Sequence, residues 1–144
     1  MKIFSRNVLG IFVGFITAVA TTIVLAILML AIFSPMLTRD APQDILMIST
    51  GPLLYSLASL WVAISVGVYV TAQLSRRARL TNAVALAIGY ALYSYWLSQS
   101  PSNLDRPYPD WYVISSYVLL LPAALLGHLV ASKLAKTDSA TAAT

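Results

Sequence analysis

Apolar residues along this chain gather into four long runs that are separated by short polar segments. The runs cover about residues 8–33, 52–74, 81–99 and 111–132, and none of them contains Asp, Glu, Lys or Arg. A membrane-spanning helix needs about 20 predominantly apolar residues. The pattern therefore predicts an all-α polytopic membrane protein, in which four transmembrane helices form an antiparallel bundle as one domain over residues 1–136.

The first polar segment predicts where the first span ends and how the chain continues. Ser34 precedes Pro35, and the residue before a proline disfavours the helical conformation, so we expect the first helix to end there. Pro42 and Asp44 are typical of a helix start. We interpret residues 42–49 as a short helix at the membrane interface, although an early extension of the second span fits the same residues.

Later residues mark the remaining boundaries. Thr81 and Asp110 are candidate N-caps of the third and fourth spans. Pro122 lacks a backbone N–H group, so we expect it to kink the fourth span. Residues 137–144 are small and mostly polar, which predicts a disordered cytoplasmic tail.

Charge is distributed by side of the membrane rather than over one soluble face. The net charge is +4, although only 10% of the residues are charged. An excess of Lys and Arg in short loops marks the cytoplasmic side. We therefore expect both termini in the cytoplasm, loops 34–51 and 100–110 outside, and no nucleic-acid partner. The basic residues on the cytoplasmic side are Lys2, Arg6, Arg76, Arg77, Arg79, Lys133 and Lys136, and those outside are Arg39 and Arg106.

A basic cluster lies in the loop between the second and third spans. Its members, Arg76, Arg77 and Arg79, are expected to attract anionic lipid headgroups, at about 1 kcal/mol for each residue near the surface. Retention of this loop in the cytoplasm explains the cluster equally well, and the two roles are compatible.

Residue types that carry chemistry are sparse. The chain has no cysteine, which excludes thiol nucleophiles and thiolate metal sites. Its sequence shows no Ser-His-Asp arrangement, Gly-rich phosphate loop or His cluster, so we predict no catalytic residue, cofactor or metal and do not expect an enzyme. The one histidine, His128, lies within the fourth run. It is interpreted as a structural residue that donates to a neighbouring helix, with proton handling as the alternative.

Small residues recur every four positions in the apolar runs, which places them on one face of each helix. Such faces allow close approach of helices in a membrane. We interpret them as packing faces within the bundle, with dimerisation through Gly10 and Gly14 as the alternative. The residues are Gly10, Gly14, Ala18 and Thr22 in the first run, Ser59, Ala63, Gly67 and Thr71 in the second, and Ala123, Gly127 and Ala131 in the fourth.

Aromatic residues concentrate where the third run ends and the fourth begins. Tyrosine and tryptophan favour the membrane interface, so this concentration predicts an aromatic belt at the outer surface. The alternative is an aromatic-lined ligand groove on the same side. The residues are Tyr90, Tyr93, Tyr95 and Trp96 in the third run, and Tyr108, Trp111, Tyr112 and Tyr117 around the start of the fourth.

One segment resembles a recurrent pattern. Gly67-Val68-Tyr69-Val70-Thr71-Ala72 leads into Arg76-Arg77 and a further apolar stretch. This is similar to small four-helix bacterial inner-membrane proteins with a Gly-Gly-Tyr-x-x-Ala segment before a basic turn, although Val66 replaces the first glycine. The resemblance implies a multi-pass protein of the bacterial inner membrane and no particular activity.

Two functional hypotheses follow. The first is a non-enzymatic accessory or structural membrane subunit, which packs in the bilayer against other membrane proteins or a second copy of itself. Its basis is the abundance of packing signals beside the scarcity of chemistry. The alternative is a small oligomeric transporter or channel component, with Ser65, Tyr69 and His128 along a polar path.

Overall fold

The polypeptide folds into α-helices that follow the apolar runs. The computed structural model describes residues 2–36, 49–75, 79–99 and 108–141. Within these ranges there is no β-strand, and the all-helical fold that the sequence predicts is confirmed there. The helices are α1 (Lys2–Phe33), α2 (Thr50–Leu74), α3 (Arg79–Ser98), α4 (Asp110–Val118) and α5 (Leu120–Thr141), with a 3-10 turn at Ser34–Met36.

Three helical segments are long and apolar enough to cross a membrane. They are Asn7–Phe33, Thr50–Leu74 and Asp110–Leu134. The third predicted span, α3, has 20 residues, which corresponds to about 30 Å and matches the hydrocarbon core of a bilayer. Asn82 and several tyrosines make α3 less apolar than the other three segments. Its length therefore suits a membrane crossing better than its composition does.

Several helix boundaries differ from the sequence expectation. Helix α3 begins at Arg79, so Thr81 lies inside its first turn instead of capping it. Pro109 is the N-cap residue of α4, and Asp110 is the first residue of the helix, where the helix dipole stabilises its negative charge. Helix α5 continues to Thr141, into the segment 137–144 that the sequence predicts as a disordered tail. Of the residues that α5 includes there, Ala140 favours helix, whereas Thr137, Asp138 and Ser139 are weaker helix formers.

The predicted fourth span is interrupted between α4 and α5 at Leu119, three residues before Pro122. In a regular helix the N–H group of residue 122 would donate to the carbonyl of Val118, and proline has no such group. Hydrogen bonds resume on either side of the interruption. The Leu119 N–H donates to the Ser115 carbonyl at 3.0 Å, and the Ala123 N–H donates to the Leu119 carbonyl at 3.1 Å. Leu119 keeps a right-handed helical backbone, with φ −72° and ψ −15°. The interruption at Leu119 is therefore local, and the kink expected from Pro122 stays a prediction.

Helices α1 and α2 form the most extensive pair, and α2 also packs against α3 and α5. Contacts between α1 and α2 run from Gly14 beside Gly67 to Phe33 beside Gly51, so these two helices are antiparallel. Helix α1 is parallel to α3, and α2 is parallel to α4 and α5. We call the end of the bundle with Phe33, Thr50, Ser98 and Asp110 the open end, and the opposite end the packed end.

The buried core lies toward the packed end. Its members are mostly alanines and aliphatic residues of α1, α2, α3 and α5, which fit closely because most of them are small. The core residues are Ala18, Ile64, Val68, Ala83, Leu86, Ala87, Tyr90, Leu120, Ala123 and Ala124.

The helix predicted over 42–49 falls almost wholly outside the described residues, as do Arg76 and Arg77.

Candidate binding cavity

The small-residue faces meet one another inside the chain. A Cβ atom added to Gly67 would lie 2.7 Å from the Gly14 carbonyl oxygen and 2.8 Å from the Ala18 Cβ. A Cβ at Gly14 would meet the Thr71 hydroxyl, and one at Gly127 would meet the Ser65 carbonyl. These backbones therefore touch directly, and the small residues of α1, α2 and α5 face neighbouring helices of the same chain.

Two members of the predicted packing faces, Thr22 and Ser59, lie outside this close packing. Both line a cavity of about 250 Å³ at the open end, between α1, α2, α3 and α4. Among the described residues that line it, none is charged. Eight of them carry a hydroxyl group, namely Thr22, Tyr55, Ser56, Ser59, Tyr90, Ser94, Tyr112 and Ser116.

A second cavity, of about 470 Å³, adjoins the first between α1, α3 and α4. Its described lining is likewise uncharged and includes Thr22, Tyr90, Ser94 and Tyr112, which also line the first cavity. It is open along an edge of exposed apolar residues. These residues are Ile23, Leu97, Val113 and Tyr117.

The cavities exist because α3 and the fourth span separate toward the open end. Helix α3 packs on α5 but has hardly any contact with α4. On α5, small buried residues such as Ala124 and Ala131 allow close approach. The corresponding region of α4 carries bulky residues, including Tyr112 and Tyr117. The break at Leu119 divides the close part of this span from the separated part.

Hydrogen bonds between helices hold the cavity walls in place. The hydroxyl groups of Thr22 and Tyr90 lie 2.9 Å apart and connect α1 to α3. Those of Ser56 and Tyr112 lie 2.8 Å apart and connect α2 to α4. The Tyr55 hydroxyl donates to the Leu25 carbonyl at 3.2 Å, which connects α2 to α1.

The aromatic residues divide between the two interpretations offered by the sequence. Tyr90 is buried, its ring is tilted by 59° against that of Phe15 with the ring centres 6.2 Å apart, and it lines both cavities. Tyr112 is half-buried and also lines both cavities, so these two tyrosines fit the aromatic-lined groove. Tyr95 and Trp96 project outward, and Trp96 is 71% exposed, as residues of an interfacial belt would be.

The residues of the predicted polar path do not line either cavity. Ser65 and Tyr69 lie in a shallow groove of about 260 Å³ between α2 and α5, together with Gly127. The Ser65 hydroxyl donates to the Ala123 carbonyl at 3.1 Å. His128 is absent from the described lining of that groove, and its Nδ1 atom is buried without a hydrogen-bond partner among the described residues. The structure thus brings Ser65 and Tyr69 together and leaves His128 apart.

Most of the cavity residues lie outside the sequence patterns described above, although they carry a local signal of their own. A Tyr-x-x-x-Ser motif occurs in α2, α3 and α4, as Tyr55 with Ser59, Tyr90 with Ser94, and Tyr112 with Ser116. Residues four apart share one helix face. All three motifs line the smaller cavity.

The chain matches no protein-family model, no curated protein and no solved structure. Among the residues described, no three His, Asp or Glu side chains are grouped so that they would hold a metal ion. The chemistry that the cavity offers is that of hydroxyl groups and aromatic rings.

Proposed function

We propose that this chain is a non-enzymatic membrane protein that binds a small molecule in the cavities at its open end. This develops the hypothesis of a small transporter or channel component. The observation that carries the proposal is the convergence of the three Tyr-x-x-x-Ser motifs on one uncharged cavity. Ligand pockets of this kind are largely apolar and contain a few converging polar groups.

The packing between the cavity and the packed end favours a binding site that is closed at its inner end over a pore through a single chain. Ala18, Ile64 and Val68 are each fully buried, and Gly14 and Gly67 bring α1 and α2 into backbone contact. A continuous water-filled path would have to separate these contacts. A ligand that enters from the open end would therefore stop near Tyr90, as it would in a receptor or in one state of a carrier.

We further propose that α3 crosses the membrane as a fourth span, with both termini in the cytoplasm of a bacterium and the open end outside. The 20-residue length of α3 and its packing along α1 and α5 support the fourth crossing. The basic residues at the start of α1, at the junction of α2 and α3, and in the second half of α5 support the orientation, because α1 begins at the packed end and α2 and α5 run toward it. Arg76, Arg77 and Arg79 would then contact the headgroups of the inner leaflet.

An accessory subunit needs a surface that a partner can cover. The packing signals that suggest this role belong to small-residue faces that contact helices of the same chain. A partner would instead have to cover exposed apolar residues of α1, such as Phe12, Ile16 and Ile27, where lipid fits equally well. The native mass of the protein in mild detergent, with identification of comigrating proteins, tests this role separately.

The absence of cysteine allows a direct test of the cavity. We expect Ser94→Cys to react with a membrane-impermeant maleimide added outside intact cells. Adding Ala26→Phe, which places a ring at a residue lining both cavities, should slow this reaction at least several-fold. Adding Ala20→Phe, at an exposed alanine of α1 that lines neither cavity, should not change it.

Two further measurements complete the test. Gln99→Cys, at an exposed position directly after α3, should react at the same rate in every background, which controls for expression and reagent access. Native mass spectrometry should find a bound small molecule in the wild type and in Ala20→Phe and find less of it in Ala26→Phe. Equal labelling of Ser94→Cys in both phenylalanine backgrounds, or equal ligand content, would contradict a binding role for the cavity.

A further inference from the structure

The hydroxyl groups around the cavities have most of their protons committed to the protein. Thr22 donates to the Ala18 carbonyl at 3.0 Å, so the 2.9 Å hydrogen bond between Thr22 and Tyr90 must be donated by Tyr90. Ser116 donates to the Val113 carbonyl at 2.7 Å, and Tyr55 donates to the Leu25 carbonyl at 3.2 Å. These four hydroxyl groups therefore have no proton left to donate to a ligand, and they can only accept hydrogen bonds from it.

A few protons remain available. The hydrogen bond between Ser56 and Tyr112 uses one of the two hydroxyl protons and leaves the other. Ser59 and Ser94 line the smaller cavity and have no hydrogen bond to other described residues. The lining thus offers an excess of acceptors with a minority of donors. A complementary ligand donates more hydrogen bonds than it accepts. An alcohol also fits, because its hydroxyl group both donates and accepts hydrogen bonds.

The absence of charge along the described lining limits the charge of the ligand. An anion would meet oxygen lone pairs and no basic side chain. A cation would be attracted by the tyrosine rings, but a cation–π contact is weaker than the cost of removing an ion from water without a counter-ion. Both comparisons favour a neutral molecule over an ionised one.

The shape of the cavities indicates the rest of the ligand. The smaller cavity lies between all four spans and carries the eight hydroxyl groups. The larger one ends at Ile23, Leu97 and Val113, which are exposed at the side of the bundle. In a bilayer this edge faces acyl chains. An apolar tail can therefore leave the protein between α3 and α4 while a polar head stays inside.

We propose that the ligand is a neutral, hydroxyl-bearing amphiphile, such as an acylglycerol or a long-chain alcohol, that enters from the outer leaflet. This inference rests on the proposed function of the cavity and narrows it to a class of ligand. The hydroxyl groups of the ligand lie among Thr22, Ser59, Ser94 and Tyr112. Its hydrocarbon chain lies along Ile23 and Val113.

The test uses three amphiphiles that share one hydrocarbon chain and differ in charge. The full-length protein is reconstituted in phosphatidylcholine nanodiscs and labelled with a photoreactive monoacylglycerol. Monooleoylglycerol, oleoyl lysophosphatidate and oleyl trimethylammonium then compete with the label. We expect crosslinks in α1, α3 and α4, and competition by monooleoylglycerol at concentrations at least tenfold below those of either charged amphiphile.

A pair of serine variants links binding to the lining hydroxyls. Ser94→Ala should weaken competition by monooleoylglycerol about three- to tenfold, the usual effect of one lost neutral hydrogen bond. Ser132→Ala changes a serine that lines neither cavity and should leave the competition unchanged. An equal effect of the two variants would overturn the assignment of the ligand head to the cavity.

The outcomes separate the class of ligand from the function. Better competition by lysophosphatidate or by the trimethylammonium compound, with crosslinks at the same helices, would overturn the neutral class and leave the binding function standing. Crosslinks scattered over the exposed surface, with no competition by any of the three, would overturn both proposals.

Discussion

Hydroxyl groups in this protein differ in whether they have a hydrogen-bond partner, and the contrast is sharpest between two serines of α2 (Thr50–Leu74) and its C-cap, Ser65 and Ser75. The Ser65 hydroxyl donates across the helix interface to the Ala123 carbonyl at 3.1 Å. The Ser75 hydroxyl is buried at the packed end with no hydrogen-bond partner among the described residues. A buried polar group without a partner costs free energy, whereas a hydrogen bond between membrane helices contributes a modest amount.

Alanine substitutions at these serines should therefore have opposite effects. We expect Ser65→Ala to lower the free energy of unfolding by about 0.5–1.5 kcal/mol. Ser75→Ala should leave this free energy unchanged or raise it by up to about 1 kcal/mol, because it removes an unsatisfied group. Reversible unfolding in mixed micelles measures both. Equal losses in the two variants would show that the Ser75 hydroxyl has a partner.

At the scale of helices, glycine has two different roles in this chain. Gly67 lies where α1 and α2 touch, and an added Cβ would come within 2.7 Å of the Gly14 carbonyl oxygen. Gly89 lies in α3, and an added Cβ would meet nothing within 4 Å. The first glycine is required by the close approach of two backbones, whereas the second is not.

Alanine substitution distinguishes these roles. Gly67→Ala should lower the free energy of unfolding by about 1–3 kcal/mol, because the α1 backbone has to move away. Gly89→Ala should cause no loss and favours helix by up to about 1 kcal/mol. The same unfolding measurement applies to both variants. If Gly67→Ala were as stable as Gly89→Ala, the contact between α1 and α2 would be looser than the structure describes.

The break at Leu119 is the second feature at this scale, and it follows from Pro122. Pro122→Ala restores an N–H donor for the Val118 carbonyl, so α4 and α5 should join into one helix. Because α5 packs closely on α3, a continuous helix should bring α4 toward α3 and narrow the cavities. Spin labels at Trp96→Cys and Ile114→Cys, both at exposed positions, should move closer together.

A second label pair controls for a general change of the bundle. Ile88→Cys and Leu129→Cys place labels at exposed positions on α3 and α5, nearer the packed end. The distance between these labels should stay constant in Pro122→Ala. An unchanged distance between residues 96 and 114 would mean that the tyrosines of α4, and not the break, hold the cavity open.

For the whole molecule, the proposed orientation leads to a labelling pattern. Gln99→Cys should react with an impermeant maleimide in intact cells, whereas Lys136→Cys should react only after the membrane is permeabilised. Reversing three charges, with Arg76→Glu, Arg77→Glu and Arg79→Glu, should let part of the population insert in the opposite orientation. Reaction of Lys136→Cys in intact cells, without the three charge reversals, would contradict the proposed topology.

Much of the fold can be predicted from the sequence, because helix position and length depend on local composition. The apolar runs locate the helices to within a few residues at most ends. The exceptions are the long start of α1 and the extension of α5 to Thr141. Pro122 predicts that the fourth span is interrupted, since the missing N–H group is a property of that residue alone.

The candidate site could be predicted only in part. The Tyr-x-x-x-Ser motifs show that tyrosine and serine share a face on each of α2, α3 and α4. They do not show that these faces meet, because the apolar residues of a membrane helix surround it and do not mark the side that faces the protein. Thr22 illustrates this difficulty, since it continues the stripe of Gly14 and Ala18 in sequence but lies beside the cavity.

By itself, the sequence determined the helical class and the approximate positions of the helices, because both depend on composition over short stretches. The tertiary structure alone decided that the small residues are used within the chain and that the hydroxyl groups of four helices surround one cavity. This depends on how side-chain volumes at the two ends of α3 and the fourth span set the distance between helices. Small buried residues of α5 lie where it packs on α3, whereas tyrosines of α3 and α4 line the space between these two helices at the open end.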